Sequence, residues 1–266
     1  MERREFGDKM IAEKDGAVGR IIFNNPDRRN AMSVSMWRAV PEILDWFEDD
    51  RDIRVIVLKG AGDKAFISGA DISEFGEKRA SAEAVEQYDV LVQEASDCLT
   101  HAARPTIAMI RGFCIGGGLA VALSCDMRIA TEGSRFAIPA AKLGIGYRVS
   151  SLQPLVALVG PSFAKEILIT ARQFDADEAL AMGLINRAVA EDTLEEYVAD
   201  YCQRIGENAP LSMMTAKRSV SEITRARADL DRDMCERLVE ECFSSEDYAE
   251  GRRAFMEKRK PEFKGK

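Results

Sequence analysis

Three consecutive glycines, Gly116-Gly117-Gly118, stand between an apolar run, Thr106–Ile110, and a small-residue apolar segment, Leu119–Ser124. The run has the composition of a buried strand and the segment that of a short buried helix. Glycine carries no Cβ, so the N–H groups of such a turn are uncovered. They also stand at a helix start, where orphan donors and the dipole favour negative charge. The turn can therefore hold an oxyanion or a phosphate. It can equally serve where backbone passes close to backbone, and a glycine run alone leaves both readings open.

The flanks restrict the topology. Ile53–Leu58, apolar apart from Arg54 and rich in β-branched residues, reads as a strand covered on both faces. Residues 81–103 place Val85, Tyr88, Leu91, Val92, Ala95 and Leu99 on one helical face, and Arg104-Pro105 ends the helix. Upstream, residues 10–23 read as a hairpin around Asp15-Gly16, and Ser33 caps a helix carrying Met36, Val40, Ile43, Leu44 and Phe47. Downstream, Asp126–Ala130 and Arg135–Ile138 read as strands. They are followed by helices around Pro161–Thr170 and Ala176–Met182 and a strand at Ile185–Val189. Strands alternating with helices at this spacing imply right-handed crossovers and a mostly parallel sheet, an α/β fold. From about Thr193 the chain is helical and charged. Its stripe of Leu194, Tyr197, Val198, Tyr201 and Ile205 has to pack on the core or on a neighbouring subunit.

Bulk properties exclude several classes. A net charge of −8 and a pI near 5.0 argue against a general nucleic-acid binder, although a local basic patch still suits a phosphorylated ligand. No apolar run approaches membrane-spanning length and the first residues have no signal-peptide character, so a cytoplasmic protein without a membrane partner is expected. The six cysteines are scattered without CxxC spacing, which points to reduced, buried thiols and no metal site. The single histidine, His101, sits where a helix ends, so neither a Ser-His-Asp triad nor a multi-histidine metal centre can be assembled.

A second small-residue turn, Ser68-Gly69-Ala70-Asp71, also follows a strand. If the two turns lie side by side, one N–H from each can point at a single oxygen. Such a pair stabilises the enolate or tetrahedral anion of a thioester carbonyl, at about 3 kcal/mol per donor.

Read together, the motifs resemble the crotonase (enoyl-CoA hydratase/isomerase) family. They are Asn24-Asn25-Pro26 with Arg29-Asn30-Ala31, Ala65–Ile72, Gly112–Gly118, Cys125–Ala130, Phe136–Pro139, Leu143–Gly146, Ala179–Asn186 and the closing Lys258–Lys264. The resemblance implies a spiral of ββα units over 1–195 carrying an acyl-CoA site, and a helical oligomerisation domain over 196–266. It implies a homotrimer or a dimer of trimers, with no cofactor beyond the coenzyme A of the substrate. The thioester oxygen would rest on the N–H groups of Ala70 and Gly117. Ser68, Asp71 and Ile72 with Ala31 would line the adenine, Gly116 would bind the acyl-CoA beside Gly117, and Arg28, Arg29 and a neighbouring chain's Lys264 would face the phosphates.

The family's hydratases use two glutamates, and at the matching positions this chain has Ala120 and Ala140. Alanine moves no proton, so the resemblance leaves the oxyanion hole in place and two-glutamate hydration in doubt. Tyr147 and Arg148 lie where family decarboxylases of malonyl-type esters orient a carboxylate, and both side chains suit that task. Three readings result: a lyase of the hydratase/isomerase type, a decarboxylase or other crotonase acting on a carboxyl-bearing acyl-CoA through Tyr147 and Arg148, and a non-catalytic acyl-CoA binder.

Overall fold

The computed structural model describes residues 1–71, 82–143, 145–224 and 231–266. Strand β1 (Glu2–Phe6) pairs antiparallel with β2 (Met10–Asp15), which turns through Gly16 into β3 (Val18–Phe23). Read along the sequence alone, the sheet starts at residue 10 and β1 escapes. Its alternating charges carry no burial pattern until Phe6, as is common for an edge strand exposed on both faces.

Ser33 caps α1 (Val34–Glu48) by accepting from the Met36 N–H at 3.4 Å, and the buried face of α1 is the expected stripe with Val34, Trp37 and Ala39 added. From here each turn of the chain sends one strand to a large sheet and the next to a small one. Strand β4 (Val55–Gly60) is followed by β5 (Ala65–Ile67), β6 (Thr106–Ile110) by β7 (Phe113–Ile115), and β8 (Met127–Thr131) by β9 (Arg135–Ala137). With β10 (Arg187–Val189), the large sheet has the order β1-β2-β3-β4-β6-β8-β10, and the small one β5-β7-β9. All pairings from β3 onward in the large sheet, and all in the small sheet, are parallel. The helices α2 (Ala82–His101), α3 (Gly117–Leu123) and α5 (Ala176–Ala181) complete the ββα turns, so the fold is the crotonase-like spiral.

Strand β7 was not foreseen. Phe113-Cys114-Ile115 is only three residues long and adjoins the glycines, so it reads as part of the turn rather than as a strand. Helix α4 runs Val149–Thr170, starting well before the expected Pro161. It is long and apolar enough by composition to cross a membrane, with a mean hydropathy of 1.3 over its most apolar window. Gly160 breaks it, however, with φ 74° and ψ 167°, so neither arm reaches the ~20 residues that a membrane span needs.

Residues alternate across the large sheet. Ile56, Leu58, Ala108 and Ile110 join the main core under α1, α2 and α3, while Val55, Val57, Ile107 and Met109 face α6 (Leu194–Gly206). The Leu194, Val198 and Cys202 face of α6 is buried on that sheet, so the expected division at 195/196 cuts through a helix that packs on the core. The remaining described helices are α7 (Pro210–Ile223), α8 (Arg232–Ser244) and α9 (Glu246–Glu257). The C-terminal segment folds back on α9. Buried Asp247 accepts the N–H groups of Lys264 and Gly265 at 2.6 and 2.8 Å, and Arg54 donates to the Phe263 carbonyl at 3.3 Å.

Candidate functional site

The small sheet delivers three turns side by side, at the carboxyl ends of parallel strands. Ser68–Asp71 follows β5, Gly116–Gly118 follows β7, and Pro139-Ala140 follows β9. The register Ile115↔Ala137 continues into the turn, where the Gly116 N–H donates to the Ala137 carbonyl at 2.8 Å. On the other side, Met32 bridges Ala70: the Met32 N–H donates to Gly69 O and the Asp71 N–H to Met32 O, both at 2.8 Å. The Ala70 peptide is thus gripped on both sides.

Two glycines fit this packing for different reasons. Gly116, with φ 52° and ψ −111°, lies in a conformation that L-residues avoid. At Gly118 a Cβ would stand 2.3 Å from the Ile67 carbonyl oxygen, so only glycine lets α3 lie against β5. Gly117, between them, is unconstrained by either effect. A Cβ built on it would lie 3.8 Å from the Ala70 nitrogen and 3.4 Å from Trp37 Cζ2, so the Gly117 peptide and the Ala70 peptide are neighbours. Among the described residues, neither the Ala70 N–H nor the Gly117 N–H has a hydrogen-bond acceptor, whereas Ala120 N already donates to Gly116 O at 3.0 Å. Two adjacent unsatisfied donors, the Gly117 one at a helix start, can hold one oxygen atom and strengthen their grip as it gains negative charge.

The loop before α1 is locked by side chains of the motif at residues 24–31, whose locking role only the structure shows. Asn30 is fully buried at φ 57°. Its amide donates to the carbonyls of Ala61 and Ala65 at 3.0 and 2.8 Å, and its oxygen accepts from the Asn25 N–H at 3.0 Å. Ala31 is buried, and its carbonyl accepts from the Asn25 amide. The Ser68 N–H donates to Arg29 O at 3.1 Å, tying this loop to the Ala70 turn. Arg28 is not a free cation: its Nη1 pairs at 3.3 Å with Asp71, whose carboxylate is buried. Arg29 lies over the Phe113 ring, 5.3 Å from its centroid. By sequence Asp71 suits a cap on the next segment; in space its carboxylate holds the Arg28 loop down.

Ile72 lies outside the described residues, as does Gly144 of the Leu143–Gly146 motif. Ala140 is buried in the turn after β9, and Ala120 is half-buried within α3, three residues after Gly117. Tyr147 is half-buried and packs, like Ala70, against the main core. Arg148, at the start of α4, is exposed and donates from Nε to Asp89 Oδ2 at 2.8 Å. That leaves its two terminal nitrogens without an acceptor among the described residues. Trp37 and Tyr88 also border the site, the Trp37 Nε1–H donating to the Tyr88 hydroxyl at 3.1 Å. Their spacing on α1 and α2 is that of ordinary core positions, so no sequence signal separates them from packing residues. Lys264 sits beside Phe263 and Gly265, which contact Arg54 at the amino end of β4, whereas Arg28 follows the carboxyl end of β3. The two cations therefore lie at opposite ends of the large sheet within one chain. Two hollows lie away from the three turns, one of about 370 Å³ under α6 and one of about 500 Å³ among the charges of α9 and the C-terminal segment.

Residues 13–266 match the family model described as enoyl-CoA hydratase/isomerase. The chain is 34% identical over 255 residues to a short-chain-enoyl-CoA hydratase of Clostridium acetobutylicum, covering 96% of this chain and 97% of that protein. It is 33% identical to a crotonyl-CoA hydratase of Syntrophomonas wolfei, covering 96% and 98%. Among solved structures it is similar to an enoyl-CoA hydratase/carnithine racemase from Magnetospirillum magneticum, with a TM-score of 0.90, 38% identity and coverage of 97% and 96%. A putative enoyl-CoA hydratase/isomerase family protein from Hyphomonas neptunium superposes with a TM-score of 0.93 at 33% identity, covering 98% and 99%.

Proposed function

Because the chain belongs to the enoyl-CoA hydratase/isomerase family, we propose that it binds an acyl-CoA thioester and stabilises the enolate of that ester on the N–H groups of Ala70 and Gly117. The observation that carries this reading is the pair of neighbouring peptides, on turns of adjacent parallel strands, whose N–H groups have no acceptor among the described residues. As the thioester carbonyl gains charge at its oxygen, both donors shorten and strengthen, which lowers the barrier to forming the enolate. Ser68, Asp71 and Ala31 border the coenzyme, with Gly116 setting the turn. Arg28 and Arg29 flank the phosphates, the former already steered by Asp71. No cofactor is required beyond the coenzyme A of the substrate, and a cytoplasmic location accords with this reading.

The chemistry around the enolate differs from two-glutamate hydration, because Ala120 and Ala140 bring no proton-transferring group. Arg148 favours the second reading, a carboxyl-bearing acyl-CoA. Asp89 holds its Nε and leaves both terminal nitrogens for a bidentate carboxylate, beside Tyr147 on the core. Loss of CO₂ from a malonyl-type ester leaves its electron pair on the α-carbon as the enolate that the two N–H groups hold. A proton from solvent or from Tyr147 then completes the product.

The test is turnover of crotonyl-CoA and of methylmalonyl-CoA, measured by absorbance and by released CO₂, with Gly117→Pro alongside. Gly117 is the first residue of α3, where a helix tolerates proline; the substitution removes the N–H but also adds a ring beside Trp37 and constrains Gly116, so thermal stability is read alongside turnover. Retained thermal stability with turnover reduced ~100-fold or more supports the pair as an oxyanion hole. Unchanged kinetics exclude Gly117. Tight acyl-CoA binding with no turnover of either ester would make the chain a binder. The same proposal includes a homotrimer or a dimer of trimers, for which the exposed Val220, Ile223 and Phe243 on α7 and α8 supply apolar surface. A monomer in analytical ultracentrifugation would overturn it.

A further inference from the structure

The face of the large sheet turned away from α1 and α2 contains its own hollow, of about 370 Å³, between α6 and strands β3, β4 and β6. Its floor is Val18, Val57 and Met109, and its wall is Val198 and Cys202, so the lining is mostly apolar. Its volume is that of a small-ligand pocket. Among the described lining residues the only cation is Arg20.

Arg20 donates from Nη1 to Asp15 at 3.0 Å, while its Nε and Nη2 have no acceptor among the described residues. Asp15 is half exposed, and a pair of that kind holds a guanidinium only weakly. The Arg20 charge is close enough to act on the buried Cys202 thiol, so it is felt inside the hollow and not only at its rim. The one acidic lining residue, Glu195, is already paired with Lys59 at 2.6 Å and offers little repulsion to an anion.

We propose that this hollow binds a medium-chain monocarboxylate. The chain lies along the open side of the hollow over Ala17, Val18 and Ala199, with the edges of the packed Val57, Met109, Val198 and Cys202 beneath it, and the carboxylate accepts from Nε and Nη2 of Arg20. The site is on the opposite face of the sheet from the main core, so it is separate from the Ala70–Gly117 turns and independent of the acyl-CoA reading.

The experiment is isothermal titration of the full chain, in excess coenzyme A, with hexanoate, octanoate, octan-1-ol and octylamine. Octanoate is expected to bind saturably and more tightly than octan-1-ol. Hexanoate should be about fifteenfold weaker than octanoate, the increment of two buried methylenes. Octylamine should not bind. Arg20→Gln should remove the preference for octanoate over octan-1-ol while leaving the apolar contribution. Ala199→Trp, at an exposed position on the rim, should abolish binding of both without lowering the thermal midpoint. The absence of saturable octanoate binding would overturn the proposal. So would octylamine binding as tightly as octanoate, or octanoate binding unmoved by both substitutions. None of these readouts uses thioester turnover, so a failed acyl-CoA assay and a failed titration are distinguishable.

Discussion

Gly118→Ala is the sharpest probe of how the candidate site is held. The added methyl would stand 2.3 Å from Ile67 O, 2.8 Å from Ile67 Cβ and 3.0 Å from Ile67 C. Ordinary van der Waals contact begins near 3.4 Å, so the shortfall is 3.4 − 2.3 = 1.1 Å. No side-chain rotation relieves it, because the obstacle is backbone of β5, paired in register with Cys114 and fully buried. The start of α3 must therefore move away from β5 by about that distance. Overpacking of this kind costs roughly 1–3 kcal/mol, and glycine-to-alanine returns ~1 kcal/mol of helix propensity. The net loss is about 0–2 kcal/mol, which for a chain of this size lowers the thermal midpoint by up to roughly 8 °C.

The functional effect is larger than the stability effect. Gly117 travels with Gly118, so its N–H leaves the Ala70 N–H by about 1 Å, a misplacement that can cost ~100-fold in rate. Gly117→Ala is the control. Its methyl meets Trp37 Cζ2 at 3.4 Å and the Ala70 nitrogen and Gly69 carbonyl carbon at 3.8 Å, all ordinary contacts, so stability should change little. Differential scanning fluorimetry and the thioester assay together decide the matter. A Gly118→Ala protein as stable and as active as the parent would refute the close seating of α3 on β5.

Buried polar groups and thiols give further tests. The Arg128 guanidinium is buried and donates to the carbonyls of Leu184, Ala122 and Cys125 at 2.9, 3.1 and 2.7 Å. Arg128→Met strands those carbonyls and should cost at least ~3 kcal/mol in urea unfolding; a loss under ~1 kcal/mol would show that they find other donors. Glu250 is held well below the usual carboxylate range by Arg259, then Arg253 and the Glu262 N–H. Its contribution is present above the unfolded carboxylate pKa of about 4.3 and is lost as pH falls below it toward the folded value. The thermal midpoint should drop in that acid window, and Glu250→Gln should flatten the drop; parallel curves would remove Glu250 from the account. Burial pushes the Cys125 thiol up to about 12 and Cys202 up to about 11. Iodoacetamide at pH 8 should therefore label both slowly in the native protein and rapidly in urea. Native labelling at the rate of a small free thiol would contradict their burial.

Much of the fold could be read from the chain because its signals are local. The hairpin at Asp15-Gly16, the Ser33 cap, the stripes of α1 and α2 and the β-branched run at Val55 each depend on neighbours within a few residues. The ordered motifs identified the family and singled out the two small-residue turns, and the alanines at 120 and 140 were visible as departures. The elements that escaped are those whose stability comes from elsewhere in the chain. Strand β7 exists because β5 and β9 flank it, and β1 because β2 offers an edge. The first arm of α4 is mostly exposed apolar surface without a clear helical period. The stripe of α6 was legible, but not that it would cover Val57 and Met109 rather than another subunit.

The sequence by itself determined the glycines, and with them two backbones free of Cβ atoms. It did not determine why each glycine is there. The separate roles of Gly116 as a positive-φ turn, Gly117 as the neighbour of Ala70 and Gly118 as the contact with Ile67 arise only when β5 and β7 lie side by side. The same holds for Arg28, a free cation in sequence and the partner of buried Asp71 in space. Composition and spacing act along the chain, and the choice of which unsatisfied donor meets which neighbour is made across it, by strand pairing between residues far apart in sequence.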